Sequence, residues 1–283
     1  MSSASQTYSI WIVSPPGYLH SRCFEELALS LSEAFAALGF AAPVVTDPAQ
    51  AKGVTIVLGA NLLKSWPGPL PERMVLYNLE QVHQNSGWFD QAYIEILKRR
   101  QVWDYSALNV AALAKMGVRA TLCGVGYTGG LTRIPHAVMQ DIDVAFVGSV
   151  NPRRSRVLEA MQRARLKVHA GVGVYGAERD ALFARSKLVL NLHFHEAQVF
   201  EIVRVSYLLA NRLCVVSELG LDHALEQPFA KGVAFAPYGE LVAACRFLID
   251  RPDARRRIAN AGFEAFKAMP QAPMLQRALG ELA

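Results

Sequence analysis

The sequence is poor in cysteine, with four among 283 residues: Cys23, Cys123, Cys214 and Cys245. They are widely separated and never form a C-x-x-C pair, so neither a zinc site nor a disulfide framework is signalled. All four read as buried, reduced thiols. No apolar run approaches the roughly 18–20 residues that a membrane-spanning helix needs. The first residues, MSSASQTYSIWIVSPPG, lack a basic stretch leading into an apolar one and do not read as a signal peptide. These absences predict a cytoplasmic protein. There is no P-loop and no low-complexity segment. The formal charge is +5, but it is dispersed and comes with no arginine-aromatic recognition module, which argues against nucleic acid. A mildly basic surface suits a phosphate-bearing ligand or an anionic membrane surface instead. The densest cluster, Arg251 to Arg257, reads as the solvated face of a surface helix.

What the chain does have is apolar material, 52% of its residues, enough for two buried cores at this length. Strand-like runs alternate with helical periodicity. YSIWIVSP (8–15) is a short Ile- and Val-rich run stopped by turn residues, the pattern of a buried parallel strand. Residues 21–38 place Phe24, Leu27, Leu31, Ala34, Phe35 and Leu38 at helical spacing, and Gly39 ends the helix. Further strands are predicted at 43–47, 53–60, 73–80 and 119–127, with helices at 87–100 and 106–116. The stretch GGLTRIPHAVMQD (129–141) reads as a linker. After it, strands are predicted at 143–150, 167–172, 187–194, 213–218 and 232–237. The helices expected between and after them are 154–165, 176–186, 199–211, 239–249 and 253–268. The expected fold is therefore α/β, with two Rossmann-like doubly wound domains, 1–136 and 137–283, facing across a cleft. Ligands in such sheets bind beyond the carboxyl ends of the strands, which directs attention to the loops there.

Two constellations stand out. In DVAFVGSVNPRRSRVLEAM, a strand runs into Gly148 and Ser149 and then into paired arginines, Arg153 and Arg154, at a helix start. Small residues let a ligand approach the backbone, and a helix N-terminus with two guanidinium groups suits a diphosphate; a solvent-facing arginine pair is the plain alternative. In KLVLNLHFHEAQVFEIVR, Asn191, His193 and His195 alternate and should face one side. His193, His195 and Glu196 could suggest a metal, but nothing else has ligand spacing, and the histidines read as cleft lining. Glu201 and Arg204 lie three apart near a helix start, placed either to hold sugar hydroxyls and phosphate or to form a surface ion pair.

These residues carry a resemblance. The ordered succession F-V-G, R-R, Y-G-x-x-R, K-x-V-L-N-L-H, F-E-I-x-R and L-L-A-N-x-x-x-V-V-S-E resembles the donor-binding half of GT-B glycosyltransferases. Within them it is closest to the bacterial branch called glycosyl transferases group 1. S-P-P-G-Y-x-H-S, L-Y-N-L-E-Q-V and V-W-D-Y-S-x-x-N resemble that branch's acceptor half. The resemblance implies an N-terminal acceptor domain and a C-terminal nucleotide-sugar donor domain. It places Arg154 and Lys187 nearest the phosphates, Glu201 on the nucleotide ribose or donor sugar, and Arg204 beside it. Gly148, Arg153, Tyr175, Asn191 and His193 complete the expected donor site. The superfamily's two glutamates eight apart are replaced by Val199 and Tyr207 when the sequences are aligned on VVS. The implied activity moves a sugar from a nucleotide-diphosphate donor to a hydroxyl on a glycan, lipid-linked or protein acceptor, in bacterial polysaccharide or glycoconjugate synthesis. It implies no cofactor and no essential metal, and allows peripheral contact with an inner membrane.

A base for the acceptor hydroxyl needs a pKa near working pH and a place beside the substrate. His20, in SPPGYLHSR, and Glu80, closing LYNLE, are the candidates, with His83 third. Two other functions fit the same fold: a nucleotide-sugar epimerase, and a non-catalytic nucleotide-sugar-binding module.

Overall fold

The computed structural model describes residues 6–82, 87–194 and 198–282. The chain divides into two compact units: residues up to Gly130 together with those from Pro270 onward, and Leu131–Met269.

The first unit opens on β1 (Tyr8–Ile12), every residue of which is buried. A 3-10 turn, Leu19–Phe24, leads into α1 (Glu25–Ala37). Then come β2 (Val44–Val45), β3 (Val54–Leu58), β4 (Met74–Asn78), α2 (Gln91–Lys98), β5 (Gln101–Asp104), α3 (Ala107–Lys115) and β6 (Ala120–Leu122). The sheet order is β2-β1-β3-β4-β5-β6, with all pairs parallel. β3 and β4 are buried along their whole length, as strands covered on both faces must be. Trp11, Val57, Leu76, Tyr93, Leu97, Val102 and Leu113 form the core on one side. Each such side chain contributes roughly 1.5–3 kcal/mol by leaving water. Asp90 and Ser106 cap α2 and α3 by accepting from Tyr93 N and Asn109 N, satisfying backbone donors that a helix start leaves open.

The second unit repeats the plan with β7 (Ile142–Val147), α4 (Pro152–Arg163), β8 (Val168–Gly171), α5 (Gly176–Ala184), β9 (Ser186–Asn191), α6 (Ile202–Ala210), β10 (Val215–Glu218), α7 (His223–Glu226), β11 (Ala234–Ala236), α8 (Leu241–Ile249) and α9 (Pro252–Lys267). Its order, β11-β10-β9-β7-β8, is again all parallel. Counted within each unit, the first five strands lie in the order 2-1-3-4-5, so each sheet reverses direction between its first and third strands. That reversal opens a crevice beyond the strand ends, where β1 and β3, or β7 and β9, part company. In the second unit α9 comes so close to the turn before β11 that a side chain on Gly232 would meet Gly262 Cα at 2.3 Å.

Three features differ from the sequence-based expectation. The boundary drawn at 136/137 assigned the whole C-terminus to the second domain, whereas α10 (Gln271–Gly280) packs on α1 within the first unit. The buried Gln271 fastens it there. Its side chain accepts from Gly126 N (2.6 Å) and donates to Gly124 O (3.0 Å). Pro270 and Pro273 disguise this helix, yet proline is tolerated ahead of and within a first turn because those N–H groups have no helical partner. β5 was not expected either, because only Val102 and Trp103 are apolar between two polar ends, too short a run for periodicity to register. Finally, Cys123, Cys214 and Cys245 are buried as expected, but Cys23 is exposed on the 3-10 turn. No helix among the described residues is long and apolar enough to cross a membrane.

Candidate functional site

The crevice of the second unit lies between the loops after β7 and β9. Asn151 caps α4, its Oδ1 accepting from Arg154 N at 2.9 Å, and Pro152 takes the first helical position. Asn151 Nδ2 reaches across to Phe194 O (3.1 Å), tying the two loops together. Arg154 folds back beneath them and is almost wholly buried, its guanidinium between the rings of Phe146 and Phe194 at 5.2 and 5.0 Å. Nη1 donates to Ser149 O (2.7 Å) and Nη2 to Leu192 O, while Glu201 Oε1 lies 3.5 Å away. Asn191, fully buried at the end of β9, donates to Glu201 Oε2 (2.9 Å) and Ser217 Oγ (3.1 Å) and accepts from Arg204 Nη1 (3.3 Å). A methyl group placed on Gly148 would lie 3.6 Å from Arg154 Nη1 and 3.7 Å from Arg204 Nη2. The two guanidinium groups therefore converge on the one residue of the loop without a side chain.

Among the described residues the cluster carries more positive than negative charge. Burial, followed by repulsion from Arg204, pulls the Arg154 pKa down to about 10. Burial would raise Glu201, but the contact with His193 and the charges of Arg204 and Arg154 prevail and lower it to about 2. Glu201 is thus ionised throughout the working range and serves as counter-ion to one of two arginines. A bound anion would offset the other.

Not every residue expected in this site is available to a ligand. Arg153 forms a two-pronged ion pair with the buried Glu218, Nη1 to Oε2 at 2.7 Å and Nη2 to Oε1, and stacks on Tyr238 at 4.1 Å. Together these two side chains grip the backbone of His193, Arg153 at its carbonyl (3.3 Å) and Glu218 at its N–H (3.2 Å). Arg153 is a structural clamp here, since a guanidinium bound on both prongs has little left for a phosphate. Lys187 is also misplaced by the expectation. It sits near the N-terminal end of β9, paired with Asp143 at 2.6 Å, at the edge opposite the crevice. Asp141 and Asp143 have D-x-D spacing but share that edge, and Asp141 pairs with Arg185. His193 is fully buried, with Nδ1 3.3 Å from Glu201 Oε2, and so does not line a crevice. Tyr175 stands half-buried in the loop after β8, as the residue before α5. That loop, at Gly171, Gly173 and Gly176, holds a G-x-G-x-x-G spacing that could have drawn attention to it. Val199 is buried, and Tyr207 donates to Asp180 (2.9 Å) while Arg133 and Arg179 stack on its ring. His195 and Glu196 lie outside the described residues, as does His83. Among the described residues no group of three or more His, Cys, Asp or Glu could hold a metal ion.

If an anion sits between these guanidinium groups, Gly148→Ala weakens its binding, because the new methyl group occupies space between them. The backbone φ of +150° is also one that side chains rarely adopt. Titration with UDP by calorimetry measures the loss, and wild-type affinity in this variant would show that the anion binds elsewhere.

In the first unit, Glu80 follows β4 at the carboxyl edge of its sheet. Asn61, in the turn after β3, donates to its Oε1 at 3.1 Å. Burial pushes its pKa up to about 7. Tyr18, in the loop after β1, has its own pKa raised by burial and by the charges of Cys23 and Glu80. His20 is exposed on the 3-10 turn, its ring 5.4 Å from that of Tyr18. Behind Glu80 lies a buried polar network of Asn78, Asp104 and Asn109, none of which the sequence marked as functional. The signal was present in L-Y-N-L-E-Q-V and V-W-D-Y-S-x-x-N, which contribute all of its members.

Comparison with solved structures bears on the whole arrangement. Anabaena HepE in complex with UDP-glucose superposes with a TM-score of 0.61 at 14% identity, covering 98% of this chain and 99% of that one. AviGT4, a glycosyltransferase involved in avilamycin A biosynthesis, gives 0.60 at 12% identity over 97% and 96%. Sucrose-phosphate synthase from Thermosynechococcus elongatus gives 0.59 at 12% over 98% of each chain. The fold is GT-B. This agrees with the two α/β units and the parallel sheets of six and five strands. No family model matches the chain. In sequence it is 35% identical over 106 residues to an uncharacterized protein of Acanthamoeba polyphaga mimivirus, a match spanning 36% of this chain and 12% of that protein. A second uncharacterized protein of the same virus is 27% identical over 156 residues, 52% of this chain and 50% of that one. The chain spans half or less of the length of these relatives.

Proposed function

We propose that this GT-B protein is a glycosyltransferase that holds a nucleoside-diphosphate sugar on its second unit and moves the sugar to a hydroxyl acceptor. The observation that carries the reading is the convergence of Arg154 and Arg204 on Gly148, at the strand reversal, with Glu201 as the carboxylate among the described residues that faces both. The diphosphate would bring its negative charge to the two guanidinium groups. As the bond from the anomeric carbon to the diphosphate breaks, that oxygen gains charge, and Arg204 stabilises it directly while the buried Arg154 contributes its charge from beneath. Glu201, held by the buried Asn191, would then meet the hydroxyls of ribose or sugar. Glu80 would take the proton from the acceptor oxygen as that oxygen bonds to the anomeric carbon. Its pKa of about 7 suits that task, and the exposed His20 is the lesser candidate. The acceptor classes are glycans, lipid-linked sugars and proteins. The setting is polysaccharide or glycoconjugate synthesis, with the nucleotide sugar as co-substrate and no metal required.

Thermal denaturation with a panel of UDP-, GDP-, CMP- and dTDP-sugars tests this. At a ligand concentration of 100 Kd, the matching donor should stabilise the fold by about 2.7 kcal/mol. No shift with any member of the panel would sink the reading.

A further inference from the structure

Two asparagines of the first unit make matching pairs of bonds. Asn78 Nδ2 donates to Asp104 Oδ2 (2.6 Å) and to Glu80 O (3.0 Å). Asn109 Nδ2 donates to Asp104 Oδ1 (3.1 Å) and to the same Glu80 O (3.2 Å). Both hydrogens of each amide are thereby used. Asn109 Oδ1 accepts from Val82 N (3.1 Å), and Tyr93 Oη, on α2, donates to Asn78 Oδ1 (3.1 Å). Asp104 Oδ1 also accepts from Ser106 N at 2.9 Å.

The chemistry of the hub is specific. Asp104 receives donors from Asn78, Asn109 and the backbone of Tyr105 and Ser106 and offers none, which an ionised carboxylate does well; an amide there would turn an N–H toward a donor. Burying that carboxylate is costly, and its pKa is pushed up to about 7. The network accepts this cost at the centre of a sheet edge and ends on two backbone groups, Glu80 O and Val82 N. Of residues 79–82, which make up this turn, Glu80 alone has an ionisable side chain. A fully satisfied buried network is rigid, and this one makes the turn rigid where Glu80 leaves it.

We propose that Asn78, Asn109 and Asp104 are positioning residues for Glu80, fixing the turn that carries it so that its carboxyl stays half-buried against Asn61. The proposal rests on the transferase reading only for what Glu80 does with the proton. Among the described residues, the titratable groups that face Glu80 are Tyr18 from the loop after β1 and Tyr93 from α2, with Asp104 one amide away.

The test is the titration of Glu80 in the full chain, followed by carbon-13 NMR of labelled glutamate and assigned with Glu80→Gln. In wild type the carboxyl should titrate near 7. In Asn109→Ala and Asp104→Asn it should fall towards the ordinary carboxylate range as the turn loosens. Tyr93→Phe, which keeps the ring and removes one donor, should move it the same way by less and guards against variants that do not fold. UDP binding to the second unit should be unchanged in all three. With an acceptor, kcat should fall about 10-fold or more in Asn109→Ala at constant donor KM. An unshifted Glu80 titration in variants that are folded but melt earlier would overturn the proposal, leaving the network a purely structural one. Failure of the wild type to bind any nucleotide would defeat the transferase reading and leave this titration untouched.

Discussion

Glu80→Gln is expected to slow sugar transfer by roughly 10²–10⁴-fold, the usual worth of a positioned proton acceptor, while nucleotide binding stays at the wild-type level. Initial rates at saturating donor measure the first effect and calorimetry the second. Retention of more than about a third of the rate would assign the proton to another group. The same substitution has an opposite effect on stability. Glu80 has its pKa raised from 4.5 to about 7 by burial. Below 4.5 both folded and unfolded chains hold the proton, so the shift changes nothing. Between the two values the folded chain keeps a proton that the unfolded chain releases, and stability falls as pH rises. Above 7 the full cost, on the order of 3 kcal/mol, is present. Glutamine removes it, so Glu80→Gln should melt higher than wild type at pH 8 and nearly with it at pH 4. Asp104 titrates in the same direction but is present in both proteins, and so cancels in the difference.

Arg204→Ala is expected to weaken binding of a nucleoside diphosphate by about 10- to 100-fold, since a hydrogen bond to a charged group is worth about 1.5–3 kcal/mol. Its effect on folding should be small, because the side chain is half-buried and its one bond among the described residues goes to Asn191. Arg154→Ala would make a poorer test. That guanidinium joins Ser149 O, Leu192 O and Glu201, and its loss leaves a buried carboxylate with less compensation and a cavity beneath both loops. Calorimetric titration of Arg204→Ala with UDP decides the matter. Affinity within about twofold of wild type would mean that the convergence on Gly148 is not where the anion sits.

Much of the side-chain cluster in the second unit was legible before the structure. Gly148, Arg154, Asn191, Glu201 and Arg204 meet as the motif order suggests, because each ends or follows a strand at the carboxyl edge. Arg153 and Lys187 show the limit of that logic. A basic residue's place in the sequence does not reveal whether a carboxylate from a distant strand has already claimed it. Glu218 claims Arg153 from 65 residues away, and Asp143 claims Lys187 from 44. The network behind Glu80 was missed for a related reason. Asn78, Asp104 and Asn109 are polar residues at strand ends and helix starts, where capping and turn roles are the ordinary expectation.

The sequence by itself determined the α/β alternation, the two-unit plan and the loops that matter. Apolar periodicity is local, and carboxyl-edge loops follow from parallel strands. Only the tertiary structure decided which charges are free and which are spent, and to which unit the last helix belongs. Those outcomes depend on bonds between residues far apart in the chain, such as Gln271 to Gly126, where geometry sets the energy and sequence spacing carries no record of it.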